Sequence, residues 1–257
     1  MGFTNSTDRD WQKWGEENPY YGVLTDAKFL NANLNDDSLS EFFASGDSHV
    51  NHVFEVARKS ISPIFAPARV LDYGCGVGRL VVPFAARSQT VMGVDVSPAM
   101  LDQARKNCKK YGAASVSPLN VDEMDTLEPA SFDLVHSFIV LQHIPVARGE
   151  LILRKLIALL AEGGVGAIHF NYGDNRTALQ RGVMALRQRV SLVRGVLNLR
   201  RHLPFSTPPM QMNSYSMNRI FDILIDEHCS NVYVEFSAHG GFRGAMIYFE
   251  KRPGPLL

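Results

Sequence analysis

The chain has 257 residues, 46% of them hydrophobic and 20% charged, which suits one soluble domain carrying insertions or a small cap. Its 26 basic and 26 acidic residues cancel, and that balance counts against a general nucleic-acid binder. No apolar run approaches membrane-spanning length, the polar start MGFTNSTDRDWQKWGEEN is no signal peptide, and Cys75, Cys108 and Cys229 are too scattered for a metal site. The expectation is a cytoplasmic protein in a reducing compartment, without a bound metal.

Residues 1–66 hold no clear strand. They are aromatic early, with Trp11, Trp14, Tyr20 and Tyr21, and helix-like over 47–61, which predicts an N-terminal helical cap. From residue 67 a strand–helix rhythm begins. ARVLDY (68–73) is a short apolar strand ending in an acid, followed by three glycines and a helix from about Arg79 to Arg87. TVMGVDV (90–96) is a second strand, and Ser97-Pro98 then opens a helix that stops at Gly112. Strands follow at 115–120 and 131–140, then a helix at 150–164 closed by two glycines, and a strand at 165–172. Such alternation means a parallel sheet with helices on both faces. A helix at 216–228 and two strands, NVYVEFSA and GAMIYFEK, close the chain; being near neighbours, these two should pair antiparallel.

The stretch LDYGCGVGR (71–79) carries the chemistry. A phosphate-binding loop needs Lys and Ser or Thr after its glycines, and here Gly78 is followed by Arg79-Leu80. A dinucleotide fingerprint needs two residues before its third glycine, and only Val77 separates Gly76 from Gly78. Asp72 would repel a pyrophosphate but suits a ligand with positive charge. S-adenosylmethionine has an ammonium, a sulfonium and no phosphate, and the glycines let backbone approach its methionine part. Asp95, at the end of the second strand, is placed to accept hydrogen bonds from ribose hydroxyls.

These residues resemble a known family. VLDYGCGVGR is similar to the first motif of class I S-adenosylmethionine-dependent methyltransferases, VMGVDVSPAML to their second-strand motif, and LNVDEMDTLEPASFDLVHSFIVLQHI and LAEGGVGAIHF to the stretches that follow. The resemblance spans about 68–172 and extends to a reversed last strand near 231–250. It implies an α/β fold: a Rossmann-like, seven-stranded, mostly parallel sheet with helices on both faces and an antiparallel last strand. To this are added the cap (1–66) and a helical insertion after strand 5, at about 174–212, within a methyltransferase domain of 67–257. It also implies roles: Asp72, Gly74, Cys75 and Gly76 along the methionine part, Asp95 on the ribose and Val96 on the adenine. Asn120, Val121 and Asp122 would meet the adenine edge, and Ser137 and Phe138 the amino end. The family often has an acid where Asn120 aligns, so an amide or Asp122 would take that role.

Other residues keep two readings. His143 is either a base for the acceptor or a structural histidine at a loop start. His169, Asn171 and Tyr172 lie at the carboxyl end of strand 5, the ligand edge of such sheets; one of them is expected to touch substrate. Tyr20 and Tyr21 either close over the cofactor or pack the cap. Between Asn175 and Phe221 there are eight arginines and no acid. Leu179, Val183, Leu186, Val190, Val193 and Leu197 recur at helical spacing, so 179–201 reads as one basic amphipathic helix. It would pack on its own domain, cover the acceptor site, contact a second copy or dock on an anionic membrane. The expected activity is in-line methyl transfer to a small-molecule or glycan-like acceptor, with no nucleic acid involved. A non-catalytic cofactor-binding module and an NAD-dependent oxidoreductase are the alternatives.

Overall fold

The computed structural model describes residues 6–254, and within these leaves aside the side chains of Ser6, Ala185, Arg187, Gln188, Arg189 and His239. The remaining terminal positions of the ranges 1–66 and 67–257, and the side chains of Arg187 and Arg189 in the basic helix, lie outside the described residues.

The cap consists of α1 (Ser6–Glu17), α2 (Pro19–Val23) and the long α3 (Asp36–Ser60). Helix α3 starts well before the expected 47–61 because Asn35 and Ser38 cap one another reciprocally, each side chain accepting from the other's backbone N–H at 2.9 Å. Asp36 and Asp37 in its first turn and Arg58 and Lys59 in its last complement the helix dipole.

Next come β1 (Arg69–Tyr73), the short α4 (Val81–Ala85), β2 (Thr90–Asp95), α5 (Pro98–Lys110), β3 (Val116–Asn120) and β4 (Phe132–Ser137). The Ser97 hydroxyl accepts from Met100 N–H and caps α5, as its position before Pro98 predicts. Helix α6 (Val146–Leu159) leads directly into β5 (Leu160–Asp174). The two glycines expected to close that helix instead sit inside the strand. Gly163 takes φ 74°, and the register to β4 jumps from Phe132↔Leu160 to Leu134↔Val165, so the glycines absorb a bulge.

The insertion follows as α7 (Ala178–Arg189) and α8 (Ser191–Leu199). The single helix expected over 179–201 is broken at Val190, whose backbone is extended at φ −112°, ψ 105°. Its apolar seam is not packed on the domain: Leu179, Val183, Leu186 and Val190 are exposed. Helix α8 is anchored from its other side. The buried Asn198 amide donates to the Thr207 carbonyl at 2.9 Å, and the Phe205 ring occupies the space a Cβ at Gly195 would need, 2.1 Å away. Thr207 then donates to Glu17 at 2.7 Å and Lys13 to the Ser206 carbonyl at 2.8 Å, so the insertion rests on α1.

Helix α9 (Met217–Asp226) and strands β6 (Cys229–His239) and β7 (Phe242–Lys251) complete the fold. The sheet order is β3-β2-β1-β4-β5-β7-β6. Pairing is parallel from β3 to β5, and β7 is antiparallel to both β5 and β6. One core lies under α6 and α9, a second under α3, α4 and α5, and a third inside the cap around Trp14, Phe42 and Leu203. Among the described residues no helix is long and apolar enough to cross a membrane.

Gly46 lets α3 touch the glycine loop: a Cβ there would lie 2.2 Å from the Arg79 carbonyl oxygen. Backbone cannot yield cheaply, so Gly46→Ala should cost about 1–3 kcal/mol despite better helix propensity. Gly182, in α7 with nothing within 4 Å of its Cβ position, should gain about 0.5–1 kcal/mol as Ala. Thermal unfolding should therefore shift in opposite directions for the two variants.

Candidate functional site

The strand order reverses between β1 and β4, and in an open parallel sheet the crevice forms beyond the carboxyl ends at such a point. There the chain leaves β1 through Gly74, Gly76 and Gly78 at φ 78°, 53° and 91°, left-handed conformations that glycine adopts without strain. The turn is pinned by Gly74 and Cys75 N–H groups donating to the Val94 carbonyl at 2.7 and 2.9 Å. On the opposite wall the β-branched Ile139 takes φ 60°, a strained conformation of the kind found at functional sites.

A cavity of about 640 Å³ opens over this loop. Asp72, Gly74, Cys75, Gly76, Asp95, Val96 and Phe138 line it, with Tyr21 and His143. Asp72 is almost fully buried; its Oδ1 accepts from His136 Nδ1 at 2.7 Å, while Oδ2 has no partner within the protein. An orphaned carboxylate oxygen on a cavity wall calls for a cationic ligand. Asp95 Oδ2 accepts from Gly76 N–H and Oδ1 from Ser97 N–H, both at 2.9 Å. Burial pushes Asp95 up to about 6, against the opposing pull of the Ser97 and Gly76 N–H groups. Burial, with Asp95 and Asp72 close by, drives the Cys75 thiol well above its ordinary value, so Cys75 is a loop residue and no nucleophile.

Other expected residues sit away from the cavity wall. The Ser137 hydroxyl donates to the Tyr73 carbonyl at 2.9 Å and ties β4 to β1. Tyr20 donates to Asn107 at 2.9 Å inside the cap, so of the tyrosine pair only Tyr21 faces the cavity. Asn120 caps its own turn through Asp122 N–H at 3.0 Å and reaches the Val96 carbonyl at 3.4 Å. Val121 packs against the core under α6. These three flank the Val96 end without lining it. His169 bonds Ser237 at 2.9 Å and packs on Phe138. The Asn171 carbonyl accepts from Tyr215 N–H at 2.7 Å, and Tyr172 packs on Phe236 and Arg243. These residues belong to the β5–β7 ladder, which runs on to Asp174↔Phe242, and none of them lines the cavity.

The structure adds residues that the sequence did not single out. Arg79 is buried on the cavity wall, its Nη1 3.3 Å from Ser45 Oγ and its Nε without a partner. Burial, offset by Asp72, lowers it to about 10, so it remains a cation beside the orphaned carboxylate. Asp8 of α1 and Arg148 of α6 pair at 2.6 Å across the cavity mouth. Trp11, Met184, Leu203, Met210, Met212 and Phe242 add apolar surface to its lining, and Arg201 a further cation. His143 stacks edge-on against Trp11; its Nδ1 lies 2.7 Å from the Gln211 carbonyl and its Nε2 3.2 Å from the Gln142 amide. Burial lowers it to about 4.

The comparisons agree with this geometry. A family model described as a methyltransferase domain matches residues 70–164. Trans-aconitate 2-methyltransferase of Methylobacterium radiotolerans is 34% identical over 127 residues, 48% of this chain and 46% of that protein. A ubiquinone biosynthesis O-methyltransferase of Methylocella silvestris is 33% identical over 97 residues, 38% of this chain and 37% of that protein. The chain thus spans less than half the length of these curated relatives. Magnesium protoporphyrin IX methyltransferase from Synechocystis PCC 6803, solved with bound SAH (S-adenosylhomocysteine), shares the fold at TM-score 0.59 and 17% identity, covering 97% of this chain and 96% of that one.

Residues 70–164 thus match a methyltransferase domain, on a fold shared with a solved methyltransferase.

The cavity's residues fit S-adenosylmethionine: Asp72 would take the ammonium, the Arg79 guanidinium the carboxylate, Asp95 the ribose diol, and Val96 would lie beside the base. Asp72→Asn should weaken binding of SAH about 10–100-fold, the worth of a hydrogen bond to a charged group; titration calorimetry reads this.

Asp95 adds a pH signature. Its ordinary value is 3.8 and its folded value about 6, so on raising the pH the unfolded chain releases its proton first. Its contribution to stability therefore falls as pH rises from about 4 to about 6. Ribose hydroxyls donating to the carboxylate would pull it back down, so SAH binding near pH 6 should release up to about half a proton. Calorimetry in two buffers of different ionisation enthalpy should show that release, and Asp95→Asn should abolish it.

Proposed function

We propose that this protein transfers the methyl group of S-adenosylmethionine to a small molecule with an apolar body and an acidic group. The observation that supports this reading is the continuity of the cavity. One cavity is lined both by Asp72, Arg79 and Asp95 and by Trp11, Met184, Leu203, Met210, Met212 and Arg201. An apolar wall with one cation suits a flat or aliphatic acid. A glycan would leave its hydroxyls unpaired there. Related proteins are named for trans-aconitate, ubiquinone biosynthesis and aklanonic acid, all small molecules.

Methyl transfer from the sulfonium is an in-line displacement: the acceptor's lone pair forms the new bond to carbon as the sulfur–carbon bond breaks, leaving a neutral thioether. The cofactor brings the reactive group. The protein's part is to align the two partners and limit water around them. An acceptor that arrives ionised needs no base. That matches His143, whose value near 4 and Gln142-bound Nε2 make it a poor proton acceptor at neutral pH.

The test is methyl transfer from radiolabelled S-adenosylmethionine to a panel of small carboxylic and phenolic acids, with their neutral analogues alongside. Arg201→Ala should raise KM about tenfold for acids and leave the neutral analogues unchanged. His143→Ala should lower kcat less than about tenfold, against the 10²–10⁴ expected of a general base. Binding without turnover on any acceptor would support the non-catalytic module, and binding of NAD but not SAH an oxidoreductase.

A further inference from the structure

Behind Asp72 lies a chain of histidines with no role in the cofactor fit described above. His136 faces Asp72 in register on the neighbouring strand and is fully buried. Its Nδ1 is 2.7 Å from Asp72 Oδ1, and its Nε2 is 3.0 Å from Nε2 of His49 on α3. Asp72 is an acceptor, so His136 carries its proton on Nδ1. Its Nε2 shares a proton with Nε2 of His49, which either ring can donate.

The surroundings oppose an extra proton on His49. Arg79, His52 of α3 and His169 of β5 face the pair, and Phe84 of α4 covers His136 edge-on. Glu235 is taken up by His52 at 2.8 Å. Burial first, then His136 and Arg79, push His49 down to about 2. The His49 ring also lies on Phe138, a cavity-lining residue, at 4.1 Å between centroids.

We propose that His49 and His136 are positioning residues for cofactor binding: His49 braces the His136 ring from its Nε2 side, and His136 Nδ1 holds the Asp72 carboxylate in the direction that the cofactor's ammonium needs. The proposal rests on the cofactor reading above. This gives the long cap helix a direct hand in cofactor affinity, through a residue that does not itself contact the cofactor.

The experiment compares SAH with 5′-methylthioadenosine, which keeps the adenosine and thioether but lacks the amino-acid group. Taking the ratio of their affinities cancels the proton linked to Asp95, since both carry the ribose. In His49→Leu the His136 ring loses its partner at Nε2, so SAH should lose about tenfold relative to 5′-methylthioadenosine at a fixed pH. His49→Gln, whose amide can donate or accept in place of the ring, should restore the wild-type ratio. A His49→Leu ratio that matches wild type, or a failure of His49→Gln to rescue, overturns the proposal. Nitrogen-15 spectra of the wild-type imidazoles test it without any variant: His136 should carry a proton on Nδ1, and a bare Nδ1 contradicts it. If wild type binds neither compound, the cofactor reading itself falls, and this inference with it.

Discussion

A carboxylate buried at the tip of the central strand is the constraint on which the rest of the site depends. Asp72 sits where the strand order turns from β1 to β4, so it can be reached from above by a ligand and from the side by the neighbouring strand. Burying such a charge is costly unless it is met by donors. The protein supplies one, His136, and leaves the other oxygen to the cavity. The glycine turn beyond Asp72 follows from the same need: the loop must bend away at once so that backbone does not fill the space in front of the orphaned oxygen. The second carboxylate is handled differently. Asp95 has both oxygens met by backbone N–H groups, which fixes its direction and leaves remaining lone pairs for neutral hydroxyl donors.

The roof over these carboxylates comes from opposite ends of the chain. Helix α1 and the loop after α8 are joined by Thr207–Glu17 and Lys13–Ser206 contacts, and α1 is strapped to the α6 side by Asp8–Arg148. The cap and the insertion are therefore one cover. Overall neutrality of the chain conceals the local charge of the cavity, whose wall carries Asp72 and Asp95 with Arg79 and Arg201 among apolar side chains.

The parts legible in the sequence were those written in contiguous residues. The glycine turn, Asp72, Asp95 and the Ser97-Pro98 helix start all express local backbone chemistry, and the structure puts them where that chemistry requires. The sheet and its reversed last strand followed from periodicity and short connections. What escaped was set by distant contacts. Arg79 served in the sequence only to exclude a phosphate loop; its burial depends on Ser45 and Gly46 of α3. The His49–His136 pairing joins segments that share no motif. The two glycines after α6 read as a helix stop because the bulge they form depends on register with β4. The break at Val190 gives no Gly or Pro signal, and the anchoring of α8 by Asn198 and Phe205 is visible only in three dimensions. For His169, Asn171 and Tyr172 the ligand-edge rule falls short because β5 runs on to Asp174 and neighbouring strands occupy these side chains, His169 on Ser237 and Tyr172 on Phe236 and Arg243.

The most direct test of the central claim is a crystal structure with SAH bound. The account predicts the amino nitrogen within hydrogen-bond distance, about 3 Å, of Asp72 Oδ2, with the ribose hydroxyls on Asp95 and Asp72 still held by His136. An amino group bound elsewhere, with Asp72 Oδ2 left unpaired or facing the ribose, would contradict it.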